Sequence, residues 1–144
     1  MQTNGIVLSV DNYVPKGYNQ QYNRKEQGVM ADYVIIMGYD EHYSSSEEAG
    51  SVASYPYVEQ GIQKMLEEVP KEKVINAVPF FTRFWKTDVE GSVTSEAIGM
   101  DEEDVKVQNN NAEKVWNETC KQYYVEFDYD GSTYQMWIGR GEFH

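Results

Sequence analysis

Apolar positions along the chain fall first into short unbroken blocks and later into strict alternation. "GIVLSV" (Gly5–Val10) is an apolar run ending in Asp11-Asn12, a pair that favours turns, and it predicts a first strand. "NQQYNRKEQGVM" is polar with weak amphipathic spacing and predicts a short helix. "DYVIIMG" (Asp32–Gly38) is apolar without alternation, the pattern of a parallel strand covered on both faces. From Tyr55 to Glu68, the residues Val58, Ile62, Met65 and Leu66, with Val69 beyond, recur on one face of a 3.6-residue period. Ser54 is a suitable N-cap for that helix, and Pro70 stops it. "KVINAVPFF" (Lys73–Phe81) predicts a third strand. Strands alternating with helices through short connections predict right-handed βαβ units in an α/β sheet.

Beyond Trp85 the pattern changes. A polar stretch holds one short helix, Asp101 to Gln108, whose acids Asp101 to Asp104 suit a positive helix N-terminus. Tyr123, Val125, Phe127 and Tyr129 then alternate with Tyr124, Glu126, Asp128 and Asp130, which predicts antiparallel β-structure. Asp130-Gly131 is a two-residue hairpin turn, and "STYQMWI" returns from it, as a hairpin arm that could also serve the parallel sheet. "GRGEFH" (139–144) matches neither strand nor helix and reads as a foreign tail.

Composition narrows the chemistry. With 144 residues the chain fits one domain with a real core, and 40% hydrophobic content is too apolar for disorder. The net charge of −12 speaks against nucleic acid or an anionic membrane surface as partner, since both need clustered cations. Twelve tyrosines and three tryptophans suit neutral, hydroxyl-rich ligands such as sugars. One cysteine, Cys120, excludes an internal disulfide or a multi-cysteine metal site, and the two histidines are too few for a histidine-based zinc centre. No apolar run approaches the ~20 residues of a membrane span. No metal or cofactor is expected.

The block ending in "MGYDEHY" carries the candidate chemistry. It delivers Tyr39 and Asp40 just past the C-terminal end of a buried strand, the edge where α/β sheets bind ligands. Asp11 ends the first strand on the same edge and is a weaker candidate. Spacing alone leaves plainer readings open: Tyr39 as half-buried core, Asp40 as a turn cap, Trp137 as hairpin core and Arg83 as a structural ion-pair partner. Glu41 and His42 read as loop residues.

Met37-Gly38-Tyr39-Asp40 resembles the Met-x-Tyr-Asp motif on the sixth strand of the family 18 glycoside hydrolases, the chitinase-like (β/α)₈ barrels. The longer string "MGYDEHYSSSEEAGSVASYPYVEQGI" is similar to the bacterial branch acting on cell walls, including spore-cortex-lytic enzymes and N-acetylglucosaminidases. "VINAVPFFTRFW" resembles the seventh strand, and "YYVEFDYDGSTYQMWI" the end of the family's α+β insertion and its eighth strand. Three segments in the family's order, from about Gly5 to Ile138, carry the likeness. Two features depart from it. The acidic Asp-x-x-Asp-x-Asp-x-Glu motif of the fourth strand is absent, and Trp137 is followed by Ile138, Gly139 and Arg140 rather than the usual Trp-x-Glu-Asp.

The resemblance implies a partial (β/α)₈ TIM barrel of about strands 5–8. Half-barrel βα units would occupy 1–85, an α+β insertion 86–130 and the last barrel strand 131–138. A whole barrel needs ~250 residues, so the chain is expected to begin after the acid motif and to be inactive alone. The parent enzyme would cleave β-1,4-linked N-acetylglucosamine-containing polysaccharide, chitin or peptidoglycan, outside the cell or at its envelope. The mechanism implied is substrate-assisted and retaining. Tyr39 would donate to the substrate's acetamido oxygen and Asp40 would accept from sugar hydroxyls and set the local field. Trp137 would be the floor of the subsite with Met37 packed beneath, and Arg83, at the end of the parallel seventh strand, would bind a hydroxyl or pair with an acid. The alternative is a non-catalytic carbohydrate-binding domain on the same scaffold. The partners implied are the polysaccharide and the missing N-terminal half of the barrel, with a homodimer through open sheet edges as a further expectation.

Overall fold

The computed structural model describes residues 4–139, so the tail from 140 on lies outside the described residues. The fold is mixed α/β and divides into two compact units. One holds the chain up to Tyr39 together with Tyr57–Val78, the other Asp40–Pro56 together with the chain from Pro79 on. Among the described residues, no helix is long and apolar enough to cross a membrane.

The first unit is a three-stranded parallel sheet in the order β1 (Ser9–Tyr13), β2 (Tyr33–Met37), β3 (Val74–Ala77). Helix α1 (Arg24–Met30) follows β1, and most of α2 (Tyr55–Leu66) belongs here. Register sets Val10, Val34 and Val74 abreast, then Asn12, Ile36 and Asn76. That face packs into the core of Val14, Ala31, Val34, Ile36, Met65 and Val69. Gly61 of α2 is the close-approach point, where a Cβ would stand 3.1 Å from Val14 and 3.3 Å from Ile36. Lys73 donates to the carbonyls of Gly28 and Ala31, both at 2.9 Å, and so satisfies acceptors left open at the end of α1.

Three expectations are corrected in this unit. The first strand is Ser9–Tyr13 rather than Gly5–Val10, and Ile6 and Val7 stand exposed before it. Its register is anchored by Leu8, whose N–H donates to the Asp32 carboxylate while its carbonyl accepts from the N–H groups of Asp32 and Tyr33. Asp11-Asn12 therefore lies inside the strand, with the buried Asn12 amide donating to Gln27 at 2.7 Å in place of a turn. The β2 strand is fully covered on one face and partly on the other: Val34 and Ile36 are fully buried, Ile35 and Met37 are half-buried, and Tyr33 is 43% exposed. The third strand ends at Ala77, because Pro79 has no N–H to continue a ladder.

The second unit is a five-stranded antiparallel sheet in the order β5-β4-β8-β7-β6. Its strands are β4 (Phe81–Thr87), β5 (Val93–Gly99), β6 (Val115–Asn117), β7 (Gln122–Tyr129) and β8 (Ser132–Ile138), with α3 (Met100–Asn109) between β5 and β6. Helix α3 carries Asp101, Glu102 and Glu103 in its first turn, as the acidic run predicts. The β7–β8 turn is the two-residue type expected. Asp130 and Gly131 both have positive φ, 49° and 79°, and Tyr129 pairs Ser132. One sheet face buries Phe84, Ile98, Val125, Met136 and Ile138, with Val107 and Ala112 packed against them. The run Ser132–Ile138 pairs antiparallel with β7 and β4 and does not join the three-stranded parallel sheet.

Candidate functional site

The turn after β2 is held from both sides. Met37 closes the strand, abreast of Tyr13 and Ala77. The Gly38 N–H donates to the Ala77 carbonyl at 3.2 Å, and the Tyr39 N–H reaches back to the Met37 carbonyl at 2.9 Å. The Tyr39 carbonyl accepts from the Tyr57 hydroxyl at 3.3 Å. Gly38 lies against the Asn76 amide so closely that a Cβ would come within 2.3 Å of Asn76 Oδ1. The path of the main chain into Tyr39 is thus fixed by contacts within the first unit. Asp11 points to the same face of the sheet as Met37, one pleat back along β1, and is exposed. It stands inside the strand rather than at its end.

Asp40 opens the second unit's share of the loop in the left-handed region, at φ 59°, a conformation Asp tolerates better than most residues. The loop Asp40–Pro56 is tied down along its length. The Glu41 carboxylate accepts from the Ser54 N–H at 2.8 Å and the Ser54 hydroxyl at 3.0 Å, one residue before α2 begins. His42 Nδ1 lies 2.8 Å from the Ser51 carbonyl. Both side chains hold the loop together, in keeping with their reading as loop residues. The buried Trp85 indole N–H donates to the Gly50 carbonyl at 2.9 Å, and the Ser51 hydroxyl donates to Gln122 at 2.5 Å. These bonds fasten the loop to the sheet face opposite the core, which also presents Arg83 and Trp137.

On that face Trp137 is half-buried, its ring 5.0 Å from that of Tyr124 at 47°, and its carbonyl accepts from the Thr82 hydroxyl at 2.6 Å. Arg83 sits inside antiparallel β4, not at the end of a parallel strand. Nη1 donates to the Ser95 hydroxyl at 3.1 Å, whereas Nε is buried without a partner. Among the described residues its side-chain partner is thus a hydroxyl, and no carboxylate pairs with it. The structure gathers Asp11, Met37 and Tyr39 in the first unit and Asp40, Arg83 and Trp137 in the second.

Three neighbours of Trp137 escaped the sequence reading. Gln135 donates to the Tyr124 hydroxyl at 2.8 Å, and that hydroxyl donates to Glu126. Burial first, then the Glu126 carboxylate, push the Tyr124 phenol up to about 12, so it remains a fixed donor at neutral pH. A rigid indole–phenol pair bordered by an amide and a carboxylate offers an apolar face with hydrogen-bonding groups at its edge. The faces of sugar rings need both.

The Bacillus subtilis protein YdhD, described as a candidate sporulation-specific glycosylase, has a crystal structure that matches 97% of this chain. The match has a TM-score of 0.84 and 24% identity, and covers 48% of that chain. The likeness is one of fold, over about half of that structure. In sequence, YdhD is 24% identical over 112 residues, which is 77% of this chain and 26% of that protein. The Bacillus cereus spore cortex-lytic enzyme SleL matches with a TM-score of 0.82 and 20% identity over 95% of this chain and 32% of its own. A family 18 chitinase from Cycas revoluta, solved in complex with (GlcNAc)3, matches with a TM-score of 0.74 and 20% identity over 96% of this chain and 46% of its own. The chain thus spans about a quarter of the curated relative and a third to a half of these structures. No family model matches it.

Proposed function

We propose that the chain is the C-terminal half of a family 18 glycoside hydrolase acting on N-acetylglucosamine-containing polysaccharide at the cell envelope or outside the cell. One observation carries the reading. A Met-Gly-Tyr-Asp string stands at the C-terminal end of the central parallel strand, in a chain whose fold neighbours are chitinases and spore cortex-lytic enzymes. Tyr39 is the donor to the acetamido oxygen, Asp40 the acceptor that sets the field around it, and Trp137 the stacking floor. The parallel strands are a part of a (β/α)₈ barrel, and the antiparallel sheet with α3 is the family's α+β insertion together with the last strand. The general acid lies in the missing half, so the chain alone does not hydrolyse.

The test is hydrolysis of chitooligosaccharides and peptidoglycan by the full-length protein, its Tyr39→Phe variant and the 144-residue chain. Removing the phenolic donor is expected to lower kcat by about 10²–10³, and the chain alone should be inert. Turnover by the chain at ordinary enzyme rates would sink the proposal. A binding-only role is the second reading. A full-length protein that binds these oligomers without cleaving them would decide for it.

A further inference from the structure

The hairpin β7–β8 sets three cross-strand pairs in succession on the face that carries Trp137. They are Tyr124 with Trp137, Glu126 with Gln135, and Asp128 with Thr133. Residues two apart on a strand share a face at a spacing of about 7 Å, so the strip runs about 14 Å from the indole. Each pair is held by its own contact. The rings of the first lie 5.0 Å apart. In the second, Gln135 and Glu126 are joined through the Tyr124 hydroxyl. In the third, the Thr133 hydroxyl donates to Asp128 at 2.7 Å. Side chains ordered in advance lose less entropy when a ligand arrives. Glu126 and Asp128 are exposed, and each carboxylate keeps lone pairs beyond those its neighbour uses. The other charged side chain that the strands present on this face is Arg83, on β4, bonded to Ser95.

We propose that this strip is a binding track for the sugars that follow the one on Trp137, and that it selects units with a protonated amine over units with a carboxylate. The inference rests on the saccharide reading above and extends it to substrate class. A hydroxyl or an ammonium can donate to Glu126 and Asp128, whereas a sugar carboxylate meets two like charges with no cation between them. The aromatic pair at one end gives the track a start, and the two acid–neutral pairs give it a direction along the strands.

The test titrates the chain with an N-acetylglucosamine hexamer and with its fully deacetylated counterpart, at a pH where the amine is protonated and again where it is neutral. The wild-type chain is expected to prefer the protonated amine form by about five- to tenfold, the gain that two exposed ion pairs give. The double variant Glu126→Gln, Asp128→Asn should lose that preference and bind the amine form equally well at both pH values. Trp137→Ala should weaken both ligands. Asp101→Asn with Glu102→Gln, on α3, removes as much charge elsewhere and should leave the preference intact. A preference that survives in the Glu126–Asp128 variant, or is absent from the wild type, overturns the track and leaves the saccharide reading standing. Binding of the amine form alone, dependent on Trp137 and both acids, keeps the track and refutes the N-acetylglucosamine assignment. Binding of neither ligand refutes both.

Discussion

Replacing Gly38 by Ala adds one methyl at a tightly enclosed point of the candidate site's framework. Its carbon would stand 2.3 Å from Asn76 Oδ1, 3.1 Å from Cγ and 3.2 Å from Nδ2, so the amide must move. Gly38 directly follows β2, and Asn76 lies in β3 abreast of Ile36 and Asn12, so the amide has packed strands beside it. Overpacking of this kind costs about 1–3 kcal/mol. Asn76→Ala alone behaves differently. Its Oδ1 is buried without a partner, and deleting an unsatisfied acceptor recovers a penalty of about 1–3 kcal/mol that offsets the lost packing. Asn76→Ala is therefore expected to be close to neutral. The double variant should match it within about 0.5 kcal/mol, a coupling of about 0.5–3 kcal/mol between the sites. Thermal melting followed by circular dichroism resolves this, since 1 kcal/mol moves Tm by about 3–4 °C in a chain of this size. Additive losses, or a Gly38→Ala variant as stable as wild type, would falsify the claim that the amide enforces glycine here.

Two further outcomes are expected. The Tyr124 phenol should titrate near 12, against an ordinary 10.0, and Glu126→Gln should bring it down, as read from tyrosinate absorbance. A folded-state value above the unfolded one means that the group's contribution to stability is complete below pH 10 and is lost as pH rises from 10 to 12; the contribution should shrink in the variant. Among the described residues the parallel sheet ends at β1 and β3, with Ile6, Val7, Val29 and Met30 exposed, so the isolated chain should self-associate. Light scattering that shows a clean monomer at high concentration, or association unaltered by Met30→Lys, would count against that mode of pairing.

Much of the fold was legible because local chemistry and tertiary packing agree there. The amphipathic period of α2, the acids of α3 and the Asp130-Gly131 turn each appear where the sequence puts them. The first strand slipped because apolarity at Ile6 and Val7 outweighed register in the reading, whereas in the fold Asp32 holds Leu8 and sets where pairing starts. The uneven coverage of β2 could not be read from its own residues, since it depends on what lies opposite. The neighbours of Trp137 were within reach. A two-residue turn at Asp130-Gly131 sets Tyr129 against Ser132, and counting back along both arms puts Tyr124 opposite Trp137. Arg83 was misplaced for a different reason. Pro79 ends one sheet and Phe81 begins another, and nothing local marks that change of partner.

The tight turn between β7 and β8 also bears on the order in which the molecule is assembled. A two-stranded ribbon closed by two residues forms in about 1–10 μs, because almost no chain has to be gathered first. The β4–β8 ladder joins Trp85 to Gln135, some fifty positions apart, and must await a far larger loop closure. The rings and carboxylates of the hairpin should therefore be aligned while the remainder of that sheet is still unformed. Slow refolding phases are then expected to report on β4 and leave the ribbon untouched.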